Sequence, residues 1–163
     1  MKTTSARLLL IGGKAKVCLN KLLEFAGGVD AKIVILPHAS TIPEEVGPEM
    51  VETLTKLGAK RENIWVTDRF GVAYKGRVDE MDRWKDPYVK DTKARTLADV
   101  LPGADVFLGL STAGVVKQDM IKTMAGKPMI FALANPTPEI MPELVKEVCP
   151  EAIIATGRSD YAN

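Results

Sequence analysis

Two adjacent glycines, Gly12 and Gly13, follow the apolar residues 8–11 and precede a helix-like segment. Glycine at a strand-to-helix turn lets backbone N–H groups approach a phosphate, and the helix N-terminus that follows favours negative charge. Lys14 and Lys16 occupy positions that a dinucleotide-binding turn normally keeps small. The glycine pair therefore predicts either a phosphate-binding turn or a plain turn between a strand and a helix.

A serine and an asparagine follow two further apolar runs. Ser111 lies within Gly109-Leu-Ser-Thr-Ala-Gly114, which would place a nucleophilic serine on a sharp turn if its fifth position were glycine, but that position is Ala113. Asn135 begins the segment Asn135-Pro-Thr-Pro-Glu139, in which its side chain offers a donor and an acceptor while two prolines fix the loop. The Asn135 segment equally suits a rigid turn without a ligand. With His38 as the single histidine, we expect no catalytic triad and assign no catalytic residue.

Asp68 ends another apolar run, residues 63–68. A dinucleotide site uses an acid at the end of the second strand to accept hydrogen bonds from ribose hydroxyls. The second predicted strand instead ends at Pro37-His38-Ala39, without a carboxylate, and Asp68 ends the third. Asp68 is therefore a candidate ribose ligand only in an alternative strand order, and is otherwise expected to be a solvated acid at a strand end.

The composition argues against several other kinds of function. Cys18 and Cys149 lie far apart and each has apolar neighbours, so with one histidine we expect buried thiols and no metal site. The net charge of +1 favours neither nucleic acid nor an anionic membrane as a partner. No apolar run is long enough to span a bilayer, and the N-terminus lacks the apolar core of a signal peptide. We therefore expect a cytoplasmic protein; its oligomeric state is left open.

Apolar runs that alternate with helix-like segments predict an α/β fold with a mainly parallel sheet. Continuous Leu, Ile and Val in these runs suit strands that are buried on both faces. The segment 69–92 is polar and lacks clear periodicity. We predict one three-layer, Rossmann-like domain with five or six strands in the order 3-2-1-4-5-6, strands one and four at its centre; a flavodoxin-like order, 2-1-3-4-5, is the alternative. The six predicted strands are residues 7–13, 32–37, 63–68, 105–110, 129–134 and 152–156.

Residues 58–163 resemble the NAD(P)-binding domain of bacterial malic enzymes. The segments that carry this resemblance are Phe131-Ala-Leu-Ala-Asn-Pro-Thr-Pro-Glu-Ile140, residues 153–163, Ala104-Asp-Val-Phe-Leu-Gly-Leu-Ser111 and Lys60-Arg-Glu-Asn-Ile-Trp-Val-Thr-Asp68. The resemblance implies that Ser111 lines a dinucleotide crevice and that Asn135 lies beside the nicotinamide and the substrate. It also implies that Asp68 corresponds to the acid of the family.

Residues 5–57 resemble a different family, the N-terminal part of the cyanophycinase (peptidase E-like) serine hydrolases. The segments concerned are Leu8-Leu-Leu-Ile-Gly-Gly-Lys-Ala15, Leu22-Leu-Glu-Phe-Ala-Gly-Gly28 and Ala31-Lys-Ile-Val-Ile-Leu-Pro-His-Ala-Ser40. We interpret the chain as an engineered or recombined chimera in which residues 1–57 and 58–163 share one domain.

Both resemblances imply that catalytic residues are missing. The metal ligands, lysine and tyrosine of malic enzymes lie upstream of the matched segments, and the cyanophycinase-like nucleophile lies in a later segment of that family. The main prediction is therefore a chain that is not an enzyme and requires no cofactor. The alternative is a domain that still binds NAD or NADP weakly, with Gly12, Gly13, Asp68, Ser111 and Asn135 as the cofactor-binding residues.

Overall fold

The computed structural model describes residues 19–36, 51–81, 83 and 85–158, and within this part of the chain six strands form one sheet. The sheet order is β3-β2-β1-β4-β5-β6, and every neighbouring pair is parallel except β2 with β3. The strands are β1 (Ile33–Leu36), β2 (Ile64–Asp68), β3 (Gly71–Val72), β4 (Val106–Gly109), β5 (Met129–Ala132) and β6 (Ile153–Thr156).

The central strands β1, β4 and β5 are buried at every residue. A parallel strand covered by helices on both faces needs apolar side chains in both directions, which explains the continuous apolar runs. The strands also end together. Leu36 is in register with Gly109, Gly109 with Ala132, and Ala132 with Thr156, so four carboxyl ends form one straight edge.

Helices cover both faces of this sheet. The faces bury two separate apolar clusters: Leu22, Val51 and Leu54 pack with Ile33 on one side, and Ile121 belongs to the cluster on the other. Alternate residues of a strand point to opposite faces, which is why Ile33 and Val34 belong to different clusters. The helices are α1 (Leu19–Phe25), α2 (residues 51–56), α3 (Leu97–Val100), α4 (Gln118–Lys122) and α5 (Pro142–Val148).

The predicted fold class is confirmed: a three-layer, Rossmann-like α/β domain with a mainly parallel sheet in the order 3-2-1-4-5-6. The assignment of residues 7–13 to its centre is wrong. The strand beside β4 is Ile33–Leu36, and both of its edges are occupied, by β2 and β4. Residues 7–13 lie outside the described residues, and the short antiparallel strand Gly71–Val72 completes the six strands instead. That one domain comprises all of residues 1–163 stays a prediction.

The segment 69–92 is more regular than its sequence indicates. It turns back at β3, continues through a bridge between Tyr74 and Lys90, and includes a short 3₁₀ helix at Asp86–Tyr88. The Lys90 ammonium donates to the carbonyls of Arg61 and Glu62 just before β2 and lies 5.0 Å from the Trp65 ring centroid. Burial lowers the pKa of Lys90, and the charge of Glu62 partly opposes that shift. This end of the segment is thereby fixed to the amino edge of the sheet.

Cys149 has a free, partly buried thiol, while Cys18 lies outside the described residues. Within the part of the chain that the structure covers, no helix combines the length and the apolar composition needed to cross a membrane.

Gly71 provides a test of how tightly the segment 69–92 packs. Its φ is +97°, and a β-carbon added there would lie 1.8 Å from the carbonyl oxygen of Arg95, the acceptor for the N–H of Val72. Gly76 has a similar φ of +91° but no atom within 4 Å of the same position, so it is a matched control.

We expect Gly71→Ala to lower the free energy of unfolding by about 2–5 kcal/mol, because backbone strain and overpacking add. Gly76→Ala should cost about 1–2 kcal/mol, since only the strain applies. Urea unfolding followed by circular dichroism measures both. If both variants lose the same free energy of unfolding, the backbone at Arg95 does not constrain Gly71.

Candidate functional site

The candidate site lies outside the carboxyl edge of the sheet, between β1 and β4. From β1 the chain proceeds to β2 and β3 on one side, and from β4 to β5 and β6 on the other. The connections that leave β1 and β4 therefore run to opposite sides of the sheet, and open α/β sheets bind ligands in the crevice at such a switch point. The flush ends of Leu36 and Gly109 form its floor.

A buried carboxylate joins the loops that follow β4 and β5. Glu139 is 0% exposed, and its Oε1 accepts a hydrogen bond of 2.6 Å from the N–H of Ser111. Its Oε2 accepts one of 3.0 Å from the N–H of Ala134. A β-carbon on Gly109 would lie 2.6 Å from the Glu139 carboxyl carbon, so the carboxylate needs glycine at this strand end. Glu139 therefore sets the separation of the two loops.

These two hydrogen bonds, called the Glu139 bridge below, join loops that carry two of the predicted site residues at the same edge of the sheet. Ser111 follows β4 by two residues and is buried, with its backbone N–H engaged by Glu139. Asn135 directly follows Ala134 and is exposed. At this edge Asn135 is thus exposed and Ser111 is buried; their roles in cofactor binding stay predictions.

Asp68 is not solvated, so the expectation of a solvated acid at a strand end is wrong. It ends β2, the strand that pairs with β1, and its side chain is only 6% exposed. Each carboxylate oxygen lies 2.6 Å from a terminal nitrogen of Arg77. Oδ1 also accepts from the N–H of Phe70 at 2.8 Å, and Oδ2 lies 3.0 Å from the Lys85 ammonium. Asp68 thus ends the strand next to β1, and both of its oxygens are already engaged.

Arg77, which the sequence analysis does not single out, determines the shape of this corner. Its side chain is 2% exposed, and besides Asp68 it donates to three backbone carbonyls, those of Gly71, Val72 and Asp79. The guanidinium therefore closes the turn between β2 and β3. No sequence signal identifies it, because its partners lie in a segment without periodicity. Glu139 is also missed, although a single acid between the apolar residues Pro138 and Ile140 is a weak signal of a buried carboxylate.

Gly12 and Gly13 lie outside the described residues, and their role as phosphate ligands stays a prediction. In a dinucleotide site of this strand order, the phosphate-binding turn follows the strand that has the position of β1. The sequence that follows Leu36 here, Pro37-His38-Ala39-Ser40-Thr41-Ile42, contains no glycine and lies outside the described residues.

A separate open groove of ≈ 450 Å³ lies between the start of α4 and the start of α5, with Val116, Pro138, Ile140 and Leu144 in its wall. Asp68, Ser111 and Asn135 do not line it. Among the described residues, no group of three acids, histidines or cysteines is arranged to hold a metal ion.

Glu139→Gln tests the bridge. The amide keeps the shape of the carboxylate, but it loses the charge and turns an N–H₂ toward one of the two backbone donors. We expect the free energy of unfolding to fall by about 1–3 kcal/mol. Glu143→Gln, an exposed position at the start of α5, should change it by less than about 0.5 kcal/mol. Thermal and urea unfolding of both variants provide the comparison, and an unchanged Glu139→Gln would contradict the bridging role.

Comparisons with known proteins agree with this geometry. Residues 32–160 match the family model described as malic enzyme, NAD binding domain. The chain is 58% identical over 110 residues to the NAD-dependent malic enzyme of Rhizobium meliloti (strain 1021), which covers 68% of this chain and 14% of that protein. It is 58% identical over 111 residues to the NADP-dependent malic enzyme of Haemophilus influenzae, covering 68% and 15%.

A crystal structure of the NAD-dependent malic enzyme from Thermotoga maritima has the same architecture, with a TM-score of 0.76 and 33% identity over 91% of this chain and 39% of that one. The family match begins at residue 32 and so includes part of the segment that resembles the cyanophycinases. That second resemblance and the chimeric origin stay predictions.

The prediction that the chain is not an enzyme is wrong. Relatives that match about two thirds of it, from Rhizobium meliloti, Haemophilus influenzae and Rickettsia prowazekii, are malic enzymes. The prediction failed because it treated the absence of catalytic segments from this stretch as their absence from the protein, whereas the chain spans only 14–15% of those relatives. Because the family match covers residues 32–160 of 163, the chain belongs to the malic enzyme family and carries its NAD-binding domain.

Proposed function

We propose that the chain binds NAD or NADP across its carboxyl edge and serves as the dinucleotide-binding part of a malic enzyme. The observation that carries the proposal is the crevice between β1 and β4, with the loops after β4 and β5 held beside it by Glu139. The named relatives use NAD or NADP, and they are about seven times longer than the part they share with this chain. Oxidation of malate is therefore proposed for the whole protein.

The strand order assigns one part of the dinucleotide to each strand end. The pyrophosphate lies over the end of β1, where the crevice opens, the nicotinamide lies toward β4 and β5, and the adenosine ribose lies toward β2. Neighbouring strands are about 4.8 Å apart, so the three spacings from β2 to β5 span about 14 Å. An extended dinucleotide can therefore contact Asn135 at one end and the Asp68 corner at the other.

NAD(P), when bound, supplies the hydride acceptor. The chain itself orients the nicotinamide: the Asn135 side chain offers one donor and one acceptor group at the exposed end of the crevice. Gly109 keeps the floor below it free of a side chain, and the Glu139 bridge fixes the loop on which Asn135 lies. We therefore assign the contact with the nicotinamide to Asn135 and the position of its loop to Glu139.

Asn135→Ala tests whether the crevice is the site. Losing one neutral hydrogen bond should weaken NADP binding about threefold to tenfold. Asn63→Ala is the matched control, because Asn63 lies at the opposite edge of the sheet, where its amide donates to the carbonyl of Asp30. Calorimetric titration with NAD and NADP measures both variants. Equal affinities in the parent and in Asn135→Ala would exclude this orientation of the nicotinamide.

The sequence that follows β1 lacks the glycines of a dinucleotide fingerprint over residues 37–42. Without them we expect fewer backbone N–H groups to approach the pyrophosphate, and therefore binding no tighter than about millimolar, a free energy of about 4 kcal/mol. Pro37→Gly, Ala39→Gly and Ile42→Gly together create Gly-His-Gly-Ser-Thr-Gly directly after the strand. This triple variant should bind at least about tenfold more tightly.

A variant with Ala, Ser and Ala at the same three positions is its control and should bind as the parent does. Micromolar binding by the unmodified chain would show that its own turn accepts the pyrophosphate. If the glycine variant binds the dinucleotide no more tightly than the parent, another part of the crevice limits the affinity.

A further inference from the structure

A lysine at the amino edge of the sheet has its side-chain nitrogen bound to uncharged groups. The Nζ of Lys90 donates to the carbonyl oxygen of Glu62 at 2.8 Å and to that of Arg61 at 3.2 Å. Among the described residues, no carboxylate forms an ion pair with this nitrogen. Other lysines do have such a partner, as Lys127 has Glu151. The position of the Lys90 nitrogen therefore does not depend on a negative charge.

Loss of one proton would cost Lys90 neither hydrogen bond. An ammonium group has three N–H donors, whereas a neutral amine keeps two and gains a lone pair. Two donors suffice for the carbonyls of Arg61 and Glu62. The remaining tetrahedral direction is then available to the lone pair, which is the group that attacks an electrophile. The contacts of Lys90 are thus compatible with a nucleophilic amine.

The surroundings of Lys90 also disfavour its charge. Its Nζ lies 5.0 Å from the ring centroid of Trp65, and a second ammonium, that of Lys32, lies 5.7 Å from the same centroid. Both lysines are partly buried. Burial lowers the pKa of each, and the nearby charges of Glu62 and Asp105 only partly oppose these shifts. A lysine in such surroundings has more of its neutral, nucleophilic form at a given pH.

Lys32 is the weaker nucleophile of this pair. Its Nζ has one printed carbonyl partner, Pro102 at 2.6 Å, and its own backbone N–H donates to the Asp105 carboxylate at 2.8 Å. The carboxylate that favours the charged amine is therefore fixed beside Lys32. Lys90 combines two neutral acceptors with partial burial, so the reactive amine is assigned to Lys90.

We propose that Lys90 is a site of covalent acylation, where its amine takes an acyl group from an activated donor, either an acyl phosphate or an acyl thioester. The Nζ lone pair attacks the acyl carbonyl carbon, and a C–N bond forms. The bond from that carbon to the phosphate oxygen or thiol sulfur breaks, and the leaving group keeps the electron pair. The nitrogen gives its proton to water, and the product is a neutral amide.

Acylation should loosen the segment that Lys90 fastens. The backbone N–H of Lys90 donates to the carbonyl of Ala73, and its own carbonyl accepts from the N–H of Lys75. Its side chain links this segment to residues 61 and 62, before β2. An acylated lysine has one N–H and no charge, so it can serve only one of the two carbonyls and loses its attraction to the Trp65 ring.

Competition among the lysines of the native chain tests the site. The chain would be treated with limiting acetyl phosphate, and separately with the neutral thioester S-acetyl-N-acetylcysteamine, at mildly alkaline pH. Mass spectrometry of peptides would give the acetylation rate of each lysine, and the same labelling in urea would give its rate without the fold. We expect the ratio of native to unfolded rate to be at least about threefold higher at Lys90 than at Lys146 or Lys127.

The two reference lysines isolate the cause. The Nζ of Lys146 also donates to two carbonyls, those of Pro150 and Ala152, at 3.0 and 2.6 Å. These carbonyls follow the C-terminus of α5, where the helix dipole favours a positive charge. Lys127 is exposed and pairs with Glu151, so it represents an ordinary surface ammonium. Lys146 therefore controls for the hydrogen bonds and Lys127 for exposure.

Two variants connect acylation with the structural change. Lys90→Arg keeps the charge and the donors but no primary amine, whereas Lys90→Gln has a neutral amide like that of the product. In a Trp84→Phe background, Trp65 is the only indole. Acetylation of this parent should shift the Trp65 emission toward that of Lys90→Gln, and the same treatment should leave Lys90→Arg unchanged.

Each outcome supports or overturns the inference. A higher ratio at Lys90 than at both reference lysines supports it, and a lead with only one reagent restricts the site to that class of donor. A ratio at Lys90 that does not exceed those of Lys146 and Lys127, or faster reaction of Lys32, overturns it. An emission change that persists in Lys90→Arg also contradicts it. No nucleotide enters these measurements, so their failure leaves the proposed function intact.

Discussion

The pairing of β1 with β4 is the constraint on which the rest of the molecule depends. Four residues of each strand are in register, from Ile33 with Val106 to Leu36 with Gly109. This ladder joins the half of the sheet that contains β2 and β3 to the half that contains β5 and β6. Because the chain leaves the two strands in opposite directions, the same ladder creates the crevice at the carboxyl edge. The pairing of β1 with β4 therefore determines both the fold and the position of the candidate site.

Two buried carboxylates shape that edge by different means. Glu139 accepts from two backbone N–H groups, one on each loop. Asp68 is held mainly by cations, with Arg77 on both oxygens and Lys85 on one. The first arrangement fixes a distance between loops, whereas the second closes the turn between β2 and β3. Both acids serve the structure, and Asn135 remains exposed.

The two edges of the sheet have different roles. At the amino edge, Lys90 holds two carbonyls before β2, and Asn63 holds the carbonyl of Asp30. These contacts fasten loops to the sheet. At the carboxyl edge the connections from β1 and β4 run to opposite sides of the sheet, and Asn135, Arg69 and Phe70 are exposed in the loops that follow β5 and β2.

The sequence by itself determined the class of fold and the positions of the site loops. Continuous apolar runs such as Ile33–Leu36 and Val106–Gly109 specify parallel strands covered on both faces, and the Asn135 segment marks the loop after β5. An apolar run does not specify its neighbour, because backbone hydrogen bonds are alike for every strand. Only the tertiary structure therefore decided that Ile33–Leu36, and not residues 7–13, lies beside β4, and with it that Asp68 ends the strand next to the crevice. Only the tertiary structure also decided which charged groups are buried together. Whether an acid accepts a ligand or an arginine depends on groups brought together from separate segments, and Arg77 reaches Asp68 only because β2 and β3 fold back on each other.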